Sequence, residues 1–168
     1  MESWHVLFTK PRREYQVSEI LTEKGIETYV PTVLKRVRGR TVERPFFPRY
    51  IFIRVDFDEI GLSEVQWTPG LTRVVGFSDK PAVVPESIIT RLKEQLQELN
   101  EKGTFSPFRP GDRVRIKAGP LRDFEAVFDT HLSSEDRVRI LVTVLDRVNR
   151  QELRKRVEID VDDIELLD

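Results

Sequence analysis

The chain of 168 residues carries 28 basic and 29 acidic side chains, a formal charge of −1, and no cysteine. The absence of thiols excludes a disulfide framework and a thiolate metal site. No apolar run is long enough to cross a bilayer as a helix, and no basic-then-apolar leader opens the chain, so a cytoplasmic protein is expected. A hydrophobic share of 39% beside 34% charged residues suits one domain, or two small ones, with a modest core.

Charge is unevenly placed. Up to Arg54 there are eleven basic against six acidic residues, and the remainder is acidic on balance. Such a surplus suits a weak or assisted nucleic-acid contact rather than an autonomous DNA-binding domain.

Trp4 to Thr9 reads as a strand ended by Lys10-Pro11. Tyr15, Val17, Ile20 and Leu21 suit a helix over 12–25 that Gly25 stops. Residues 26–37 return to extended character around Pro31. Gly39 then makes the turn of a hairpin within the basic stretch Lys35-Arg36-Val37-Arg38-Gly39-Arg40, with Thr41 to Arg44 as its return arm. The next strand, Tyr50 to Arg54, follows the rigid Pro48. It places Tyr50, Phe52 and Arg54 on one face and Ile51, Ile53 and Val55 on the other. The aliphatic face reads as core. The aromatic face either meets a partner or is buried beneath a second layer. A short connecting segment over 56–67 and a strand over 71–77 follow.

Residues 85–100 form the clearest helix, with Ile88, Ile89, Leu92, Leu96 and Leu99 at helical spacing and polar residues elsewhere. Strands interleaved with two helices predict an α+β sandwich over 1–100. Residues 101–108, with Gly, Ser, Thr and Pro and no periodicity, read as a linker. Short strands over 113–117, 125–131, 137–145 and 152–159, with a last one near Ile164, predict a small SH3-like β-barrel over 109–168.

No catalytic constellation is visible. His5 and His131 stand far apart among strand residues, Gly39, Gly61 and Gly70 stand singly, and Asp162-Asp163 read as solvated charge. A binding protein is expected, with no cofactor and no metal.

Four stretches, in order, carry a resemblance: Ser3-Trp4-His5-Val6-Leu7-Phe8-Thr9-Lys10; Phe47-Pro48-Arg49-Tyr50-Ile51-Phe52-Ile53; Thr68-Pro69-Gly70-Leu71; and Pro110-Gly111-Asp112-Arg113-Val114-Arg115-Ile116. Together they resemble the NusG/Spt5 family of transcription elongation factors, the second being similar to its FPGYLFV-type signature. The resemblance implies an NGN domain over 1–100 and a KOW domain over 109–168. It implies that Phe8, Phe47, Tyr50 and Phe52 form a pocket for the clamp helices of the RNA polymerase β′ subunit. Rings suit such a helix-in-groove contact because they offer area at little rotamer entropy.

It further implies that Lys10, Arg12 and Arg13 meet phosphates of the non-template DNA strand, and that Trp67 and Thr68 stand where some members read unpaired bases. Trp67 as core is the alternative reading. The hairpin residues Lys35, Arg36, Arg38 and Arg40 either contact DNA or nascent RNA or form a solvated charged loop. On the barrel, Val144 and Leu145 occupy the family's partner surface. Leu145 replaces a Phe there, which leaves open a contact with ribosomal protein S10 and argues against Rho.

That departure, with Ala126 in place of a common Gly, favours a monomeric, operon-specific paralogue of the RfaH, LoaP or UpxY kind acting in antitermination. The alternatives are a general NusG and an RNA-binding or ribosome-associated KOW protein. In RfaH the KOW domain refolds into a helical hairpin that masks the polymerase site. Here Ile140, Leu141, Val144, Leu145, Val148 and Leu153 show partial helical spacing, but Val138, Ile140, Val142 and Val144 alternate as in a strand. Arg44 also stands where the resemblance implies an acidic anchor of the masked state. An open, unmasked barrel is therefore the expectation.

Overall fold

The computed structural model describes residues 1–77, 79–102, 124–128 and 132–157, excepting the side chains of Lys102 and of 151–157. The elements run β1 (Ser3–Thr9), α1 (Glu14–Glu23), β2 (Glu27–Tyr29), β3 (Thr32–Val37), β4 (Arg40–Pro45), β5 (Tyr50–Val55), α2 (Phe57–Ile60), α3 (Ser63–Gln66), β6 (Leu71–Val74), β7 (Gly76–Phe77), β8 (Lys80–Pro81) and α4 (Glu86–Lys102). A 3-10 turn over Glu125–Phe128 and a long helix α5 (Ser134–Val157) follow.

The main sheet has the order β2-β5-β1-β6. All its pairings are antiparallel, with Val6 opposite Phe52 and Leu7 opposite Ile51 at its centre. Strand alternation sorts its residues onto two faces. Leu7, Ile51, Ile53 and Val55 turn to α1, where Val17 and Leu21 complete one core. Trp4, Val6 and Phe52 turn to the other side, onto Ile88, Ile89, Leu92, Leu96 and Leu99 of α4. The expected α+β sandwich and its two-faced central strand are present. Tyr15, read as part of the apolar face of α1, is instead 41% exposed, and its hydroxyl hydrogen-bonds Thr32 Oγ1 at 2.8 Å.

The barrel expectation is corrected where it can be compared. Of the residues expected as strands, 125–128 form the 3-10 turn and 137–145 lie in α5, which also takes in 152–157; residues 129–131 lie outside the described residues. The expected strands over 113–117 and near Ile164, His131, residues 103–108 of the expected linker, and the rest of the stretch to 123 lie outside the described residues. The expected unmasked state is corrected as well. Phe124, Val127, Phe128, Leu141, Val144, Leu145 and Val148 are all buried, in one core with Trp4, Phe46, Phe47 and Phe52.

The physical reason is a competition between local preference and burial. A β-branched residue costs a helix about 0.5 kcal/mol relative to Ala, whereas burying one large apolar side chain contributes about 1.5–3 kcal/mol. Leu141, Val144, Leu145 and Val148 fall on one stripe of α5 and are all buried, while Val142 is left 39% exposed. The helical periodicity has won over the strand alternation.

His5 sits in the core, and its Nδ1–H donates to the carbonyl of Ala82 at 2.8 Å. Burial pushes its pKa below the ordinary 6.5. A histidine held neutral in this way contributes its stability in full above about pH 6.5, and loses it as the pH falls towards the folded value. The urea midpoint is therefore expected to drop between about pH 7 and pH 5.5. His5→Gln should lower the midpoint at neutral pH and flatten this dependence; an unchanged slope would place the titrating group elsewhere.

Candidate functional site

The aromatic face is built by the β4–β5 connection. The Phe46 N–H donates to Pro31 O at 2.7 Å, and a turn closes with Tyr50 N–H to Phe47 O at 3.0 Å. Phe46 and Phe47 are thereby swung beneath the sheet beside Phe52. The rings meet edge to face, 4.9 Å between Phe46 and Phe47 and 6.5 Å between Phe47 and Phe52.

Arg49 stands at the position of the signature glycine and holds a left-handed backbone, at φ 74°. Such a conformation is unfavourable for a side-chain-bearing residue. Several bonds hold it. Its N–H donates to the buried Glu14 carboxylate at 3.0 Å, and its Nε donates to Thr9 O at 2.9 Å. Its guanidinium lies 4.1 Å from the Phe8 ring centre, and Arg73 approaches the same ring at 5.3 Å. Phe8 and Tyr50, 5.0 Å apart, form the half-buried edge of the face.

The remainder of the face is covered. Phe124 and Phe128 reach Phe47 and Phe46 at 6.3 and 5.8 Å, and the apolar stripe of α5 closes over them. Polar contacts fasten the cover. Arg91 of α4 binds Glu125 with both ends of its fork, at 2.8 and 3.0 Å. Arg137 of α5 donates to Phe46 O at 3.0 Å and to Leu132 O at 3.1 Å, with its guanidinium 4.6 Å from the Phe46 ring. Burial lowers its pKa from the ordinary value, but a guanidinium stays charged throughout the working range. Asn149 accepts from Val83 N–H at 2.7 Å and donates to Val83 O at 3.2 Å.

Of the four expected pocket residues, Phe47 and Phe52 are thus fully enclosed, while Phe8 and Tyr50 remain partly accessible. Val144 and Leu145, expected on a free barrel surface, are buried in the cover at 1% exposure each. Arg91, Arg137 and Asn149 were not singled out by sequence, and Phe124, Glu125 and Phe128 were given no part in a site. Phe124 and Phe128, four apart, with the stripe from Leu141 to Val148, were the signal available.

The basic end is assembled around Gly70. Its φ of 91° and the approach of Val17 Cγ2 and Arg13 Cβ to within 3.1 and 3.2 Å of where a Cβ would stand make any other residue strained and crowded there. Its carbonyl accepts from Lys10 N–H at 2.8 Å. The Thr68–Leu71 loop is thus pinned to the start of α1, beside Lys10, Arg12 and Arg13, which are all exposed. Trp67 is 76% exposed, which removes the core alternative. Thr68 is buried, and its hydroxyl donates to Val65 O at 2.7 Å. Lys35, Arg36, Arg38 and Arg40 are exposed along the hairpin. Among the described residues no group of three metal-ligating side chains converges.

Breaking one hydrogen bond that leaves a buried partner unsatisfied costs about 1–3 kcal/mol. Arg137→Ala or Asn149→Ala should therefore loosen the cover by that much. Amide exchange of the buried stripe 141–148 is expected to accelerate about tenfold or more in either variant, with β1 and β5 unaffected; equal protection in variant and wild type would refute the fastening.

A family model described as "Transcription termination factor nusG" matches residues 2–93. A Pasteurella multocida protein named "Transcription termination/antitermination protein NusG" is 31% identical over 150 residues, which are 84% of this chain and 80% of the relative. Proteins of the same name from Helicobacter pylori J99 and Escherichia coli K12 are 27% and 30% identical, over 91% and 76% of this chain and 95% and 74% of theirs. The solved structure described as "Domain interaction in Thermotoga maritima NusG" aligns at 21% identity with a TM-score of 0.45, over 74% of this chain and 77% of that one.

Proposed function

The chain belongs to the NusG family of transcription factors, and on that premise we propose that it is a conditional elongation and antitermination factor whose RNA polymerase site is held shut by its own C-terminal helices. The names of the relatives supply the transcription role. The gating rests on one observation: the face carrying Phe47 and Phe52 lies under Phe124, Phe128 and α5. Such a lid makes access to the face conditional, which supports an operon-specific paralogue over a general NusG.

In this reading Phe8, Phe47, Tyr50 and Phe52 grip the β′ clamp helices once the cover departs. Arg49 and Arg73 flank Phe8 and would face carboxylates on the gripped helix. Lys10, Arg12 and Arg13 lie along the phosphates of the non-template strand, and the exposed Trp67 stacks on an unpaired base. Thr68 acts indirectly, through its bond to Val65 that shapes the loop carrying Trp67.

The test is binding of the full chain to core RNA polymerase. Wild type should bind weakly, and Val144→Asp with Leu145→Asp, which unseats the cover, should tighten binding about tenfold or more. Adding Phe8→Ala and Tyr50→Ala to that variant should abolish the gain. Equal affinity of wild type and the unseated variant would remove the gate, leaving a general NusG. No binding by either would remove the polymerase role.

A further inference from the structure

The β3–β4 hairpin is set apart from the rest of the fold. Its root is fixed: Val33 is fully buried, and Asn100 of α4 accepts from Leu34 N–H at 3.0 Å and donates to Thr32 O at 2.9 Å. Beyond that root every residue from Leu34 to Thr41 is exposed, so neither face of this two-stranded ribbon packs on the domain. The exposed arm from Leu34 to Val37 extends about 13 Å at the usual strand rise.

The register distributes the charge. Val33, Lys35 and Val37 stand opposite Arg44, Val42 and Arg40, and directly opposed residues share a face. One face therefore carries Lys35, Arg40 and Arg44. The other carries Arg36 opposite Thr41, with Glu43 as the single acid of the hairpin. At the tip, Arg38 and Gly39 both hold positive φ, 52° and 79°, as a tight two-residue turn requires. Among the described residues Lys35, Arg36, Arg38 and Arg40 meet no carboxylate. The Arg44 guanidinium donates to the neighbouring Glu43 carbonyl at 3.3 Å.

A blade charged on both faces and at its tip suits a partner that surrounds it with negative charge. A flat acidic surface would use one face. Single-stranded nucleic acid is held by aromatic platforms beside the cations, and residues 34–44 contain no aromatic residue. The major groove of A-form RNA is deep and too narrow to be read. The B-DNA major groove, about 12 Å wide and 8.5 Å deep between two phosphate walls, admits a two-stranded ribbon. We propose that the β3–β4 ribbon inserts into the major groove of duplex DNA, with Lys35, Arg40 and Arg44 on one phosphate wall and Arg36 and Arg38 on the other.

This contact is separate from the covered aromatic face and from the basic end around Arg12, so it is tested without polymerase. Anisotropy of a labelled DNA duplex of about 24 base pairs would be followed with the full chain from about 50 to 200 mM KCl, where each phosphate contact adds about −0.9 to the log–log salt slope. The expected slope is about −4 to −5 for five contacts, against about −0.9 for each one retained. Lys35→Ser, Arg40→Ser, Arg44→Ser should flatten it by about 2.7, and Arg36→Ser, Arg38→Ser by about 1.8. An unchanged urea midpoint in both variants confirms that the exposed substitutions leave the fold intact. Loss confined to one face would overturn the groove geometry in favour of a flat surface. Equal affinity for single-stranded DNA or duplex RNA would overturn the choice of duplex DNA. Absence of duplex binding at the lowest salt would overturn the proposal altogether. Lys10→Ser, Arg12→Ser, Arg13→Ser should leave the slope in place; if it alone removes the binding, the contact belongs to the other end.

Discussion

A sheet with large apolar side chains on both faces must be covered on both, and the rest of this structure follows from how that is done. One face is closed by α1, a local solution. The other carries Trp4, Val6 and Phe52 and gathers Phe46 and Phe47 from the neighbouring loop, more ring surface than α4 is given to cover by itself. Leaving three phenylalanines wet forfeits about 1.5–3 kcal/mol for each. The C-terminal segment supplies the missing layer and adopts a helix to do so, with the apolar stripe of α5 seated on those rings.

The N-terminal half was legible because its signals agree with one another. Period-two alternation in Tyr50–Val55, helical spacing from Ile88 to Leu99 and the glycine in the hairpin turn each act locally. Even the doubt about the aromatic face of β5 had a physical source, since a ring suited to a partner is equally suited to a buried layer. The C-terminal half was less legible because its local signals conflict. Val138, Ile140, Val142 and Val144 satisfy a strand, whereas Leu141, Val144, Leu145 and Val148 satisfy a helix, and the decision rests on a surface about ninety residues away in the chain. Propensity scales contain no term for that.

Arg44 shows the same limit at a single residue. An arginine in place of an acidic anchor argued for an open state, on the assumption that a carboxylate is needed. The cover uses other chemistry: Arg137 donates to a backbone carbonyl and lies over the Phe46 ring, and Asn149 takes both backbone polar groups of one residue, Val83. Backbone acceptors are present whatever the side chain, so no residue pattern in the first half could announce this contact. The carboxylate that does take part, Glu125, reaches across to Arg91 on α4, thirty-four positions earlier in sequence.

The Asn149 contact has a consequence for the opened molecule. Val84 N–H bonds Trp4 O as an isolated bridge at the margin of the main sheet, and the adjacent Val83 turns its own N–H and carbonyl to the Asn149 amide. The side chain thus stands in for one residue of a neighbouring strand. When α5 leaves, those two groups become a vacant place at a sheet margin, next to newly bared rings. That combination templates strand addition and self-association. In the proposed opening, lifting the lid therefore bares an adhesive surface that the closed form keeps covered.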